Sequence, residues 1–399
     1  MNKVRIINRV FLVTVLLSIV GSYINLWVLD YTDNYFAVLM ISQVILVLPS
    51  AIYLISSKTS IGKAIRFKKI KVSNIILIIL FAYLISPLMS FINAISMLFV
   101  TNNTAGFMEN ILGNNGFIIS LLLIAFVPCV LEETVYRGIF YNEYRKVSPI
   151  KGIILSAFLF GIMHMNFNQF SYAFAMGIIF ALLIEATDSI LSTMIVHFLI
   201  NGTSVLIMYL YPKLVQIFEK VYGPSYFNSS ETLDSIQASL PLDFSSVILT
   251  YGLPAIVGTI LAFIVYRAIA KNSGRWDFIK GIFRKDGNVN LTPWDDTEDA
   301  LGYRGYNGNA DYNGYNQMGN YNYVDDVWNN FNGEYGDRNM EGNEPPYQRK
   351  QRLITISLLI GIVICIALMI SNEILSQMPN PAVDEINKTI TIHLNHFLS

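Results

Sequence analysis

The sequence predicts an all-α polytopic membrane protein with about nine transmembrane helices, and three observations carry that reading. Only 14% of the 399 residues are charged and 53% are apolar, whereas soluble domains carry roughly 25% charged residues. The uncharged stretches reach the roughly 20 residues that an α-helix needs to cross a bilayer core. The lysines and arginines fall between those stretches, and they collect on one side if successive spans alternate. A formal net charge of −1 lacks the basic excess of a nucleic-acid binder. Cys129 and Cys365, the two cysteines, sit in apolar runs and make no disulfide scaffold.

The first span is Val10 to Leu29. Its basic start (Lys3, Arg5, Arg9) is that of a signal peptide, but no small-residue cleavage site follows and more spans do, so it reads as an uncleaved helix. Tyr35 to Ser57 is the second span and Val72 to Met108 the third. Asn110 to Leu131 is the fourth, and it stays apolar in flavour past Glu132. Gly152 to Ile184 holds one ionisable group, His164, and a polar break at Asn166, Asn168 and Gln169 divides it into a fifth and a sixth span. Ser189 to Pro212, interrupted only by His197, is the seventh. Phe244 to Tyr266 and Leu353 to Ser371 are the eighth and ninth.

Lys and Arg in short loops set orientation. The basic amino terminus, the run from Lys58 to Lys71, the group Arg145, Lys146 and Lys151, and the run from Arg267 to Lys285 all fall on one side, which makes the amino terminus cytoplasmic. One turn departs from this pattern: Glu185 and Asp188 sit on the inner side without a basic partner. Lys213 to Asp243 reads as an external segment with room for a short amphipathic helix.

Asp286 to Gln348 is rich in Gly, Asn, Tyr and Asp, with short repeats such as Gly305-Tyr306-Asn307-Gly308 and Tyr312-Asn313-Gly314-Tyr315. With almost no aliphatic residues it cannot bury enough apolar surface to offset chain entropy. It reads as a disordered cytoplasmic linker, the sharper alternative being a tyrosine-studded segment that binds a protein partner through residues 286–348. The chain therefore divides into 1–109 with the first three spans, 110–211 with spans four to seven, 212–267 with the external loop and eighth span, 268–350 with the low-complexity segment, and 351–399 with the ninth span and tail.

Ionisable groups inside a spanning helix cost several kcal/mol each and mark function by default. Here they cluster. Glu132, Glu133 and Arg137 stand in the fourth span. Glu133 and Arg137 are four apart and can pair, while Glu132 lies about 100° round the helix and is left over. One neutralised carboxylate beside one remaining carboxylate is what a general base needs. His164 lies in the fifth span, and His197 and Asn201, again four apart, lie in the seventh. Counted inward from Arg145, Lys151 and Asp188, the three groups sit roughly 14 to 20 Å along their helices at 1.5 Å per residue. They can meet in one layer, entered from the cytoplasmic side. His393 and His396 read as plain exposed residues of the tail.

Two imidazoles, a carboxylate and an amide permit two machines. Glu132, His164 and His197 can hold Zn²⁺ with one open position, so that metal-bound water is the nucleophile. Alternatively, Glu132 aided by His164 activates water directly, and His197 and Asn201 stabilise the oxyanion. Both describe hydrolysis of a carbonyl substrate, most simply a peptide. The plain alternative is a salt bridge with two hydrogen-bonded histidines that hold helices together.

The series Glu-Glu-x-x-x-Arg (Glu132 to Arg137), Phe-x-x-x-His (Phe160 to His164) and His-x-x-x-Asn (His197 to Asn201) resembles the CPBP family, the CAAX protease and bacteriocin-processing family also called Abi. The resemblance covers roughly Asn110 to Tyr211. It implies a CAAX-protease-like helical core and an intramembrane (metallo)endopeptidase acting on a membrane-embedded or lipid-modified peptide. By position it implies Glu132 as the catalytic base, with His164, His197 and Asn201 lining the site and Glu133 and Arg137 as the supporting ion pair. Eukaryotic members remove the last three residues of prenylated CAAX proteins. Bacterial members are associated with peptide maturation, bacteriocin self-immunity and scaffolding of envelope enzymes, and the bias toward Ile, Asn, Lys and Tyr fits a bacterial plasma membrane.

Two other readings stay open from the residues alone. One is a non-catalytic membrane scaffold or immunity protein that retains the protease fold. The other is a transporter or proton relay, which intramembrane Glu and His also mark, although no inverted repeat of spans is visible.

Overall fold

The structure, a computed structural model, describes residues 3–32, 35–57, 61–100, 104–222, 243–283 and 352–376. Low-complexity residues 286–348, the tail histidines His393 and His396, and residues 223–242 of the expected external segment lie outside the described residues. Among the described residues there are helices and no strand. Within a bilayer this is expected, because each helix satisfies its own backbone.

The elements run α1 (Lys3–Tyr31), α2 (Tyr35–Ser56), α3 (Ile61–Ala64), α4 (Val72–Met97), α5 (Thr104–Ser120), α6 (Val127–Glu133), α7 (Asn142–Tyr144), α8 (Pro149–Ile162), α9 (Phe167–Thr187), α10 (Ile190–Tyr222), α11 (Phe244–Val247), α12 (Leu253–Asn272), α13 (Trp276–Ile282) and α14 (Ile356–Ser376). Helices α5, α6 and α7 are joined by two π-helical stretches, Leu121–Phe126 and Thr134–Tyr141. Among the described residues, eight helices are long and apolar enough to cross a membrane, the longest of them running Met108–Tyr144. Large apolar side chains such as Ile55, Ile76, Leu249 and Ile356 are exposed, which suits faces turned to lipid rather than to water. The protein is an all-helical polytopic membrane protein.

Three boundaries differ from the sequence expectation. The third span stops at Met97 rather than reaching Met108. Helix α10 continues through Pro212 to Tyr222, so Lys213 to Tyr222 prolongs the seventh span instead of forming a separate amphipathic helix. The fifth span is only 14 residues long, Pro149–Ile162, or about 21 Å, short of the roughly 30 Å hydrocarbon core.

Helix α8 therefore ends within the molecule. Helix α9 packs back along it, and an added Cβ at Gly177 would stand 2.7 Å from Ala157, so only glycine allows that approach. The tip between them, Met163 to Asn166, is buried, and non-helical backbone at membrane depth requires internal partners. It has them. The His164 amide donates to the Gly161 carbonyl and the Met165 amide to the Ile162 carbonyl. The Asn166 side chain accepts from the Gln169 amide at 2.9 Å and caps α9. Asn372 of α14 donates to the Met165 carbonyl at 2.9 Å. Met165 holds a left-handed φ of 49°, an uncommon conformation for a side chain of its size.

Charged residues from separate loops meet at one end of the bundle. Glu185 accepts from Arg145 at 2.6 Å and pairs with Arg275 at 3.4 Å, and the Tyr141 hydroxyl also bonds it. Asp188 pairs with Arg66 and with Lys68. The expectation that Glu185 and Asp188 lack basic partners is therefore wrong: together they face four. Those partners come from the loop after α2, the end of the long fourth span and the turn after α12, so chain spacing did not reveal them. Burial lowers the Arg275 guanidinium to about 10 against the pull of Glu185, while burial and Arg66 together lower the Lys68 ammonium.

Candidate active site

Helix α6 carries both carboxylates and ends on Glu133, and the π-helical stretch that follows carries Arg137. Such widened stretches recur at functional sites. Gly138 within it lies so close to Ile65 that an added Cβ would stand 2.9 Å away. Glu132, Glu133, Arg137, His164 and His197 are all at least nine-tenths buried.

Glu133 divides its two oxygens. Oε2 lies 3.3 Å from Arg137 Nε, and Oε1 lies 3.1 Å from His197 Nδ1. The Arg137 guanidinium sits over two rings, 4.1 Å from the centre of Phe160 and 5.0 Å from that of Phe180, a geometry that offsets part of the cost of burying a cation. Two carboxylates thus face one guanidinium, and the carboxylate it leaves over is Glu132. His197 Nε2 lies 3.9 Å from Glu132 Oε2.

The partners fix both imidazoles. A carboxylate paired with arginine only accepts, so His197 Nδ1–H donates to Glu133 and Nε2 is turned to Glu132. A backbone carbonyl also only accepts, so His164 Nδ1–H donates to the Phe160 carbonyl at 2.9 Å. That leaves His164 Nε2 available. The Phe160 ring stands edge-on between the two histidines, with centroids 5.1 Å from His164 and 6.3 Å from His197.

Asn201 is placed differently. Its side chain donates to the Ile124 carbonyl at 3.3 Å, in the first π-helical stretch, and it is only half-buried. The i, i+4 spacing puts it on the His197 face, but this bond occupies its amide with backbone.

Two side chains that a survey of charges passes over also face Glu132. These are Gln43 of α2 and Tyr172 of α9, the latter with Gln169 bonded to its hydroxyl. Both are uncharged, and the only signal open to sequence was a lone polar residue within an apolar span. Beside the tip an apolar groove of about 400 Å³ opens between α4 and α9, lined by Phe91, Ile95, Phe99 and Phe167 among others.

Residues 114–203 match the family described as type II CAAX prenyl endopeptidase Rce1-like. The match covers about a quarter of the chain, and over that segment the chain is similar to the family. All three motifs lie inside the match, so the likeness to membrane proteases of the CAAX type rests on the same residues. No curated protein and no solved structure matches. The Rce1-like core takes support from outside its matched segment, through Gln43 on α2 and Asn372 on α14.

The Rce1-like core does not present a ready metal cage. Among the described residues, no three His, Cys, Asp or Glu side chains are grouped so as to hold a metal ion. His197 commits Nδ1 to Glu133, so its Nε2, 3.9 Å from Glu132, is the one ring nitrogen it could offer a metal.

Proposed function

We propose that the chain is an intramembrane endopeptidase that hydrolyses a peptide bond of a membrane-embedded or lipid-modified peptide near the cytoplasmic face. The observation that supports this most is the division of labour between adjacent carboxylates. Glu133 is held by Arg137 and His197, and Glu132 beside it is not offset by a cation of its own.

Glu132 takes a proton from water as the water oxygen attacks the scissile carbonyl carbon, and the carbonyl electron pair moves to oxygen. His197, held through Nδ1 by Glu133, turns Nε2 to the same space, and once that nitrogen carries a proton it donates to the oxyanion, the carboxylate–imidazole logic of hydrolases generally. When the intermediate collapses, the C–N bond breaks and Glu132 returns its proton to the amine. His164 aids this step with Nε2 left as an acceptor for the N–H of the scissile peptide. Asn201 becomes a second donor only if it leaves the Ile124 carbonyl.

The apolar groove between α4 and α9 suits a lipid or apolar chain of the substrate. The basic clusters around Arg66, Arg145 and Arg275 favour that end as cytoplasmic, with a bacterial plasma membrane as the setting. The test compares the membrane proteome and its released peptides in cells carrying wild type, Glu132→Ala or His164→Ala. Loss of the same cleavage products in both variants is the expected result. Normal processing in both variants refutes the reading.

A further inference from the structure

Helix α2 lies outside the Rce1-like match, yet it brings one polar side chain to the layer of Glu132. Gln43 is 1% exposed. Helix α2 packs on α6, and the Gln43 amide faces the Glu132 carboxylate. Neither Nε2 nor Oε1 of Gln43 completes a hydrogen bond of standard geometry within the protein.

The neighbouring residue behaves in the ordinary way. Ser42, also buried, donates to the Val38 carbonyl and accepts from Asn25, each at 2.9 Å. Ser42 serves helix packing with its polar atoms satisfied, as polar side chains between membrane helices do. Gln43 does not. A buried amide with open donor and acceptor atoms carries a desolvation cost that methionine, of similar shape, would remove. Packing gives no reason for glutamine here, and hydrogen bonding to something at Glu132 does.

We infer that Gln43 is a positioning residue of the catalytic centre, its amide N–H holding the Glu132 carboxylate and its amide oxygen holding the water which that carboxylate activates. The use of that water rests on the peptidase reading, while the contact with Glu132 does not. The water donates one O–H to Glu132 and the other to Gln43 Oε1, which leaves a lone pair for the carbonyl carbon. In the attack the C–O bond forms and the proton passes to Glu132. Gln43 neither gains nor loses a proton. A neutral amide suits the place, because it orients the base without altering the charge balance among Glu132, Glu133 and Arg137.

The experiment uses the full chain in detergent with Gln43→Met and Gln43→Glu. The infrared difference between wild type and Glu132→Gln isolates the Glu132 carboxylate bands, and the same difference is taken in the Gln43→Met background. The antisymmetric stretch is expected to shift. With a peptide that wild type cleaves, kcat of Gln43→Met falls roughly ten- to a hundredfold, the effect of one hydrogen bond to a charged group, while KM stays within about twofold. Gln43→Glu, which sets a like charge against Glu132, loses at least as much. The unfolding midpoint of Gln43→Met stays at or above that of wild type, so lost activity is not lost fold. Unchanged carboxylate bands overturn the inference whether or not the chain cleaves peptides. Shifted bands with unchanged kcat overturn it too. Shifted bands in a chain that cleaves nothing uphold the contact and refute the peptidase reading instead.

Discussion

Replacing Arg137 by methionine tests the electrostatic frame most directly. The guanidinium is 1% exposed and lies 3.3 Å from Glu133 and over the rings of Phe160 and Phe180. Removing one partner of a buried pair strands the other and costs roughly 3–5 kcal/mol. The two ring contacts place the loss toward the upper end, since a desolvated cation–π contact is worth up to about 2 kcal/mol. Removing both charges is different. Glu133→Gln with Arg137→Met leaves no stranded ion, so the double variant should lie within roughly 1–2 kcal/mol of wild type. The coupling energy, the two single costs less that of the double variant, is then roughly 4–9 kcal/mol. Equilibrium unfolding in mixed micelles, with SDS as the variable, measures all four corners of the cycle. Activity should not follow stability: the restored double variant still lacks the carboxylate behind His197, and its kcat should remain roughly a hundredfold or more below wild type. A single Arg137→Met variant as stable as wild type, or a double variant as destabilised as the two singles added together, refutes the reasoning.

Further outcomes follow from other contacts. Glu185→Gln removes the carboxylate shared by Arg145 and Arg275 and should cost roughly 3 kcal/mol in the same titration. Lys68→Ala should change stability by less than about 0.5 kcal/mol, because that side chain is 59% exposed. Asn372→Leu withdraws the donor to the Met165 carbonyl and should lower stability by about 1–3 kcal/mol, with a larger proportional loss in kcat as the His164 tip loosens; an unaltered kcat would separate α14 from the site. Chelation should leave peptidase activity unchanged, and elemental analysis of the purified chain should find well under one zinc per protein; zinc-dependent recovery after chelation would reverse the metal-free reading.

How far the sequence could be read depended on the distance over which each interaction is set. The Glu133–Arg137 pair was legible because helix geometry alone brings residues four apart together. The shared depth of Glu132, His164 and His197 was legible because the rise per residue is fixed, so counting from the charged ends gives a height. Rotation and tilt were not legible. Asn201 has the right spacing from His197, but how its helix faces the Leu121–Phe126 stretch turns its amide to the Ile124 carbonyl. The length of α8 was also hidden, because an apolar run ending at a polar break reads the same whether it crosses the bilayer or stops inside. Glu185 and Asp188 were misread because their partners lie 40 to 122 residues away in the chain, where spacing carries no information. Gln43 escaped because attention to charge alone ignores a neutral amide.

Part of the polar atoms left over by this fold lie in and around the site, and part lie elsewhere, as at Asp188. Gln43, Arg137, Asn168, Gln169 and Asn372 each keep at least one buried side-chain atom outside any hydrogen bond of standard geometry, and they come from four separate helical segments. Each such atom costs stability, and in lipid no bulk water relieves it. A bundle shaped only for stability would carry leucine or methionine at these places, as it does elsewhere in the same helices. The open amide of Gln43 facing Glu132 therefore argues against the plain alternative of polar side chains serving as glue, since glue residues find one another, as Ser42 and Asn25 do. Open donors and acceptors at one depth, beside a carboxylate without a cation of its own, are what a peptide group and a water would need on arriving in a dry layer.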